Sequence, residues 1–275
     1  MAKSKYGLPY QGSKSRLAER IVDLLPYSKH LYDLFAGGCA ITHCALLSGK
    51  WQTVHANDIT DSANFFEDVA LGQYHGRNEW ISREDFHRLK DTDPWVRLVY
   101  SFSNDQRTYL YGADIEPYKK VVHSMITAST EQKRRLAFRD VIRKAKDLIN
   151  AGKPRLAYDM EFLERVQALE RIEGLKRIEG LETSMVDYRD VPIKSDSVIY
   201  CDIPYKGTRN YRGMDFDHSA FYDWALAQCA PIFISEYSMP SDFECIAEFE
   251  RTSTFSATNN SLRKIERIYR PKHQL

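Results

Sequence analysis

The sequence predicts an α/β protein: a mixed sheet with helices on both faces, and an inserted, mainly helical lobe. Three observations carry that prediction. Residues 30–58 read as strand, glycine turn, helix and strand, the order of a βαβ unit with parallel strands. From about residue 72 to 160 the composition turns to Tyr, Arg, Lys, Trp and His. Strand-like runs then return between residues 196 and 270, the last two spaced as a hairpin.

Each element has its own signal. "SKSRLAERIVDLL" (13–25) opens on a serine and sets Leu17, Ile21, Leu24 and Leu25 at helical spacing, an amphipathic helix. "HLYDLFAGG" (30–38) is a short apolar strand closing on Gly37 and Gly38, and "CAITHCALLSGK" (39–50) is a helix stopping at Gly49. "WQTVHAND" (51–58) is a second strand ending in an acid, followed by the helical "ITDSANFFEDVALGQ". Residues 72–160 are expected to form short helices in a separate lobe, leaving 1–71 and 161–275 to build the sheet domain. Within the lobe, "EQKRRLAFRDVIRKAK" (131–146) carries seven Lys or Arg against two acids. From that segment alone a solvated helix face is preferred slightly to a phosphate-binding one. Strands at 196–201, "APIFISEY" (230–237), "CIAEFERTSTF" (245–255) and "RKIERIYR" (263–270) complete the sheet. Before them stands a repeat of period six, "LERVQA", "LERIEG", "LKRIEG", "LETSMV" (163–186). Apolar residues at every third position drift ~60° per step around a helix, and Gly174 and Gly180 weaken a helix further. The repeat is therefore expected to be a surface spacer.

Composition narrows the classes. With 43% hydrophobic and 12% aromatic residues, the 275-residue chain buries a real core, which excludes wholesale disorder. No apolar run reaches the ~20 residues that span a bilayer, and the N-terminus lacks the apolar stretch of a secretory signal. Five cysteines, odd in number and without C-x-x-C spacing, argue against a disulfide framework or a zinc site. No other metal site is suggested, and the cytoplasm is the expected compartment. A net charge of +1 excludes a uniformly basic nucleic-acid coat and leaves room for a local patch.

The βαβ unit is a ligand site in outline. Gly37 and Gly38 let backbone approach a ligand, and the following helix presents unpaired N–H groups. Asp58, ending the neighbouring strand, is placed to accept hydrogen bonds from both hydroxyls of a ribose. "FAGGCAIT" is not G-x-G-x-x-G, so a pyrophosphate cradle is missing. A nucleoside with an amino-acid tail, such as S-adenosylmethionine, fits better; the bland alternative is a glycine turn before a helix N-cap.

A second chemical signal is "VIYCDIPYKGT" (198–208), where an apolar strand ends in Asp202, Pro204 and Tyr205. A buried strand closing in a polar turn is the plain reading. The functional one starts from a ring amine, whose delocalised lone pair makes it a poor nucleophile. A carboxylate accepting one N–H and a backbone carbonyl accepting the other would localise that pair toward an incoming methyl group. Pro204 stiffens the turn and Tyr205 offers a flat surface for the base. A duplex base must first be swung out to reach such a pocket.

In these motifs and their order the chain resembles the Dam-type adenine-N6 DNA methyltransferases, especially phage and prophage members. "YQGSK" (10–14) is similar to the family's N-terminal aromatic-x-Gly-x-Lys motif, "DLFAGG" (33–38) to its glycine motif and "NDIT" (57–60) to its ribose motif. "CDIPYKGT" (201–208) resembles the D-P-P-Y catalytic motif, with "FISEYSMP" (233–240) and "NNSLRKIERIYR" (259–270) similar to later strand motifs. The resemblance implies a Rossmann-like class I methyltransferase sheet, S-adenosylmethionine as cofactor and double-stranded DNA as partner, the protein most simply a monomer. It further implies cofactor contacts from Tyr10, Lys14, Phe35, Gly37, Asp58 and Asp202, with Asp187 and Tyr188 of "VDYRDV" flanking the adenine. Asp202, Pro204 and Tyr205 would serve the target base, and the inserted lobe would hold target-recognition elements. Lys14 could instead approach the base. Ile203 stands where the family has its first motif proline, and Thr60 where the ribose motif has Asn. Isoleucine keeps the carbonyl and loses the φ restriction. The pocket logic recognises an amine on a flat ring, so cytosine-N4 or RNA methylation, or a silent cofactor- and DNA-binding protein, are the competing readings. Nothing in the sequence ranks Arg107, Tyr109, Lys119 or Arg134 as base readers.

Overall fold

The computed structural model describes residues 5–10, 12–153, 172, 174, 178–206, 216–252 and 263–275. The chain divides into two compact units: Met1–Gly7 with Ser13–Glu67 and Ile178–Leu275, and Leu8–Gly12 with Asp68–Arg177. The strands are β1 His30–Asp33, β2 Thr53–Asn57, β3 Leu181–Ser184, β4 Ser197–Asp202, β5 Ile232–Glu236, β6 Phe243–Thr252 and β7 Arg263–Pro271. The helices are α1 Ala18–Leu24, α2 Ala40–Ser48, α3 Ser62–Ala70, α4 Arg83–Leu89, α5 Pro94–Val99, α6 Glu116–Ile126, α7 Glu131–Asn150 and α8 His218–Leu226.

The first unit is built on a seven-stranded sheet of order β3-β2-β1-β4-β5-β7-β6. Strands β1 to β5 pair in parallel, and β7 runs antiparallel to both β5 and β6. Side chains alternate across the sheet with the strand period of two. Leu31, Val198, Tyr200 and Phe233 pack with Ile21 and Val22 of α1 and Ile41 and Ala45 of α2. One position on, Tyr32, Ile199, Cys201 and Ile234 pack with Phe221 and Ala225 of α8. Helices therefore cover both faces of this mixed, mostly parallel sheet, as expected.

Three local expectations change. Leu181–Ser184, inside the repeat read as a spacer, is β3, paired in parallel with β2 through Val54↔Leu181. Its four residues are all half-buried, so an edge strand arises without alternation or an apolar run. Gly180 does not weaken a helix; it sits at φ +79°, where a Cβ would lie 2.6 Å from the Gln52 carbonyl oxygen, and so lets β3 close on β2. Residues 163–171, 173 and 175–177 of the repeat lie outside the described residues. Second, α1 starts at Ala18, not at the opening serine: the Ser13 hydroxyl accepts the Ser15 N–H at 3.3 Å, the Ser15 hydroxyl accepts the Tyr6 N–H at 2.8 Å, and neither caps the helix. Lys14 thus stands in the turn before α1, its carbonyl accepting the Leu17 N–H at 2.8 Å, and no helix dipole opposes it.

The third concerns the lobe, whose helices are not all short. The second unit carries α6 of 11 residues and α7 of 20. Thr130 caps α7 by accepting the Lys133 N–H at 3.2 Å, and Glu131–Arg135 and Asp140–Arg143 pairs support its exposed surface. Val141 is its one buried residue, so strong helix formers also prolong it. Asp93 and Pro94 start α5, and Phe86, Trp95, Tyr100 and Tyr111 fill the unit's interior.

Candidate active site

The strand order reverses at β1: the chain passes to β2 and β3 on one side, then to β4 and β5 on the other. Ligands of such sheets bind at the carboxyl ends beside this switch. The loop after β1 is tied to both neighbours there, Leu34 N–H donating to the Tyr200 carbonyl at 3.1 Å and Ala36 N–H to that of Asn57 at 2.9 Å. The buried Asn57 side chain binds the Leu34 carbonyl at 3.2 Å and both backbone groups of Val186, at 3.1 and 3.2 Å. Three strand ends are thereby fixed to one another.

Asp58 joins this frame directly. Its Oδ2 accepts the Gly37 N–H at 2.9 Å, while Oδ1 accepts the Thr60 N–H at 2.9 Å and hydroxyl at 2.7 Å. Of the roughly four acceptor positions of a carboxylate, about one is left, on Oδ2. Thr60 thus supplies the local anchor at the position where it departs from the family motif. Asp33, at the end of β1, is 1% exposed. Its Oδ2 accepts the Thr42 N–H at 3.2 Å and hydroxyl at 2.7 Å, but its Oδ1 is buried with no hydrogen-bond partner. Burial pushes the Asp33 carboxyl up to about 7, against the Thr42 bonds, with the charges of Asp202 and Asp58 adding to the rise. Gly7 packs on the same loop: at φ +68°, its absent Cβ would meet the Gly38 carbonyl oxygen at 2.4 Å.

The second half of the site lies at the end of β4. Lys14 Nζ is 2.7 Å from Asp202 Oδ1 and 2.9 Å from Glu266 Oε1 of β7. Nζ also stands 4.7 Å from the centre of the Tyr205 ring, and the Tyr205 hydroxyl donates to Glu266. Burial lowers the Lys14 pKa, yet the Asp202 and Glu266 charges outweigh it and hold the ammonium protonated. Burial raises the Asp202 carboxyl, Lys14 draws it back, and the net direction is upward. Burial likewise pushes the Tyr205 phenol far up, so it stays a donor.

The turn after β4 is held by hydrogen bonds around Ile203. Ile203 is buried at 2% exposure, Glu236 accepts the N–H of Lys206 at 2.7 Å and of Tyr237 at 2.5 Å, and His218 Nε2 lies 2.8 Å from the Pro204 carbonyl oxygen. Hydrogen bonds from β5 and α8 supply constraint that a second pyrrolidine ring would otherwise give.

Lys14, Gly37, Asp58 and Asp202 therefore meet at one edge of the sheet. Phe35 and Tyr188 lie beside them, ring centres 5.3 Å apart, with Tyr188 also against Phe221 and Trp224. Asp187 is spent on Arg189, accepting from its backbone N–H at 2.9 Å and its guanidinium at 2.8 Å. Tyr10 belongs to the second unit. Sequence reasoning missed Asp33, Glu236, Glu266, His218 and Gly7. An acid at the last position of a predicted parallel strand is the signal that would have found Asp33 and Glu236. Of the four residues left unranked as base readers, Tyr109 and Lys119 are buried, at 3% and 2%, while Arg107 and Arg134 are exposed.

No curated protein matches the chain. The family model of the D12 class N6 adenine-specific DNA methyltransferases matches residues 10–242, a span that holds the loop after β1, Asp58 and the Asp202–Tyr205 turn. The base left open by the pocket chemistry is thereby adenine, and the chain belongs to the D12 class N6 adenine-specific DNA methyltransferases, enzymes that methylate the N6 amine of adenine in DNA.

Proposed function

We propose that the methyl donor is S-adenosylmethionine, held at the carboxyl ends of β1, β2 and β4, and that Asp202, Pro204 and Tyr205 receive an adenine swung out of double-stranded DNA. The observation that carries this reading is the common edge: Asp58 and Asp202 end the strands on either side of β1, whose own last residue, Asp33, keeps an unpaired buried oxygen. When bound, the donor supplies an electrophilic methyl group on a positively charged sulfur. The residues fit its parts. Asp33 Oδ1 is an acceptor for an ammonium group, Asp58 Oδ2 has room for one hydroxyl, and Phe35, packed on Tyr188, offers an aromatic surface for a purine. Tyr10 and Asp187 are further donor contacts on the family resemblance. Lys14, already held by Asp202 and Glu266, is assigned to the base side.

Asp202 accepts one N–H of the amine and the Ile203 carbonyl the other, concentrating the lone pair on nitrogen while Tyr205 stacks on the ring. The sheet unit is then the catalytic domain, and residues 72–160 hold the target readers, with exposed Arg107 and Arg134 the candidates. The protein acts as a monomer in the cytoplasm. Among the described residues no helix is long and apolar enough to cross a membrane.

The test is transfer of labelled methyl from S-adenosylmethionine to unmethylated duplex DNA, with nucleoside analysis of the product. Label in N6-methyladenine, dependent on duplex, is expected. No transfer from this donor, or equal transfer to RNA, overturns the assignment.

A further inference from the structure

One ammonium and two carboxylates share the corner of Lys14, Asp202 and Glu266, with side-chain exposures of 6%, 21% and 3%. Their formal charges leave one negative charge over. Glu266 is out of place as a core residue: on β7 it shares a face with Ile268, which packs in the apolar cluster under α1 and α2. A buried acid is costly unless something compensates it, and the cation paired with it among the described residues, Lys14, is already shared with Asp202. The other ionisable groups around Glu266 are committed: Glu236 accepts two backbone N–H groups, the Tyr205 hydroxyl donates to Glu266 itself, and the Tyr200 hydroxyl lies 2.7 Å from Ser235. The apolar packing of β7 does not call for the acid.

The reaction does. As the amine nitrogen forms its bond to the methyl carbon with its lone pair, the electrons of the old carbon–sulfur bond go to sulfur. The nitrogen then bears the positive charge until its extra proton leaves to water. A Lys14 ammonium 2.7 Å from Asp202, taken alone, would cancel that carboxylate and oppose the new charge. We propose that Glu266 is a positioning residue that offsets Lys14, so that the negative charge of Asp202 is available to the amine as it becomes cationic. This rests on the reading of Asp202 given above. Tyr205 profits from the same carboxylate, which fixes its hydroxyl and so the tilt of the ring.

The experiment compares E266Q, K14M, the double variant K14M/E266Q and D202A, with kcat, donor and DNA affinities and the pH dependence of kcat. Glutamine keeps the shape and an acceptor for Tyr205 and removes the charge. In E266Q, kcat is expected to fall on the order of 10²-fold, the scale of one preorganised electrostatic group, with both affinities within about threefold. Its acid limb moves to lower pH, because Asp202 loses a negative neighbour. K14M/E266Q, which leaves Asp202 facing neither charge, turns over faster than E266Q. Near-normal kcat in E266Q, an unmoved acid limb, or a double variant no faster than E266Q overturns the inference. So does an E266Q that melts early or loses donor binding, since Glu266 is then merely structural. Persistent turnover in D202A instead removes the reading of Asp202 itself; an inactive D202A beside a normal E266Q removes only the role of Glu266.

Discussion

Asp33→Asn isolates the cost of the buried acid at the end of β1. The side chain is 1% exposed and satisfied at Oδ2 alone, and burial first, then Asp202 and Asp58, raise its pKa from 3.8 to about 7. The folded state therefore holds its proton to about pH 7, whereas the unfolded chain releases it near 3.8. Folding takes up a proton between those limits, so stability falls as pH rises through the window and the deficit is complete above it. A shift of roughly three units at about 1.36 kcal/mol each amounts to about 4 kcal/mol. Asparagine keeps the acceptor for Thr42 and carries no charge. Its unpaired amide costs about 1–3 kcal/mol at every pH, which offsets the curve without changing its slope. Urea unfolding of the ligand-free proteins at pH 4.5, 6, 7 and 8 should show Asp33→Asn gaining about 3 kcal/mol on the parent across the range, since about 1 kcal/mol is already lost at pH 4.5. A difference flat to within about 1 kcal/mol would refute the buried-acid argument. Donor affinity should move the opposite way: in the parent it rises with pH through about 7 as the carboxylate forms to receive an ammonium, and in Asp33→Asn it is weak and pH-independent.

Asp202→Ala should cut turnover by at least about 10²–10³-fold and still fold, because Lys14 retains Glu266; circular dichroism and single-turnover assays check both halves. Asp58→Ala removes three hydrogen bonds to Gly37 and Thr60, of about 1.5–3 kcal/mol each when charge-assisted, so it lowers the melting temperature and donor affinity together. Unchanged affinity by calorimetry would take Asp58 out of the donor site. His218→Ala loses its hold on the Pro204 carbonyl and should lower kcat more than it raises KM, while equal losses would mark the residue as general scaffolding. DNA affinity should fall steeply with salt, and Arg134→Ala on exposed α7 should lessen the slope of log K against log salt by about one; an unaltered slope returns α7 to a solvated face.

Much of the fold was legible because it is written in short-range patterns. The βαβ unit, the strand ending at Asp202 and the closing hairpin each show their period and terminators within a dozen residues. β3 was not, since a half-buried edge strand needs no apolar stripe and draws its order from β2 alongside. The start of α1 was misplaced because Ser13 and Ser15 turn their hydroxyls to the N–H groups of Ser15 and Tyr6, bonds that a helix-start pattern does not announce. Residues 131–146 read as a helix face, but a single helix of 20 residues was not expected, since only Val141 of it is buried and propensity and side-chain pairs extend it.

By itself the sequence determined that Asp58 and Asp202 close their strands and which glycines open the loop after β1, because strand ends and turns depend on neighbours in the chain. Only the tertiary structure decided that Lys14 sits between Asp202 and Glu266, and that Asp33 keeps one oxygen unpaired. Those pairings follow from strand order and from what burial leaves within a few ångströms. An acid on β7 reads as a solvent-facing residue until the sheet places it against a lysine from the other end of the chain.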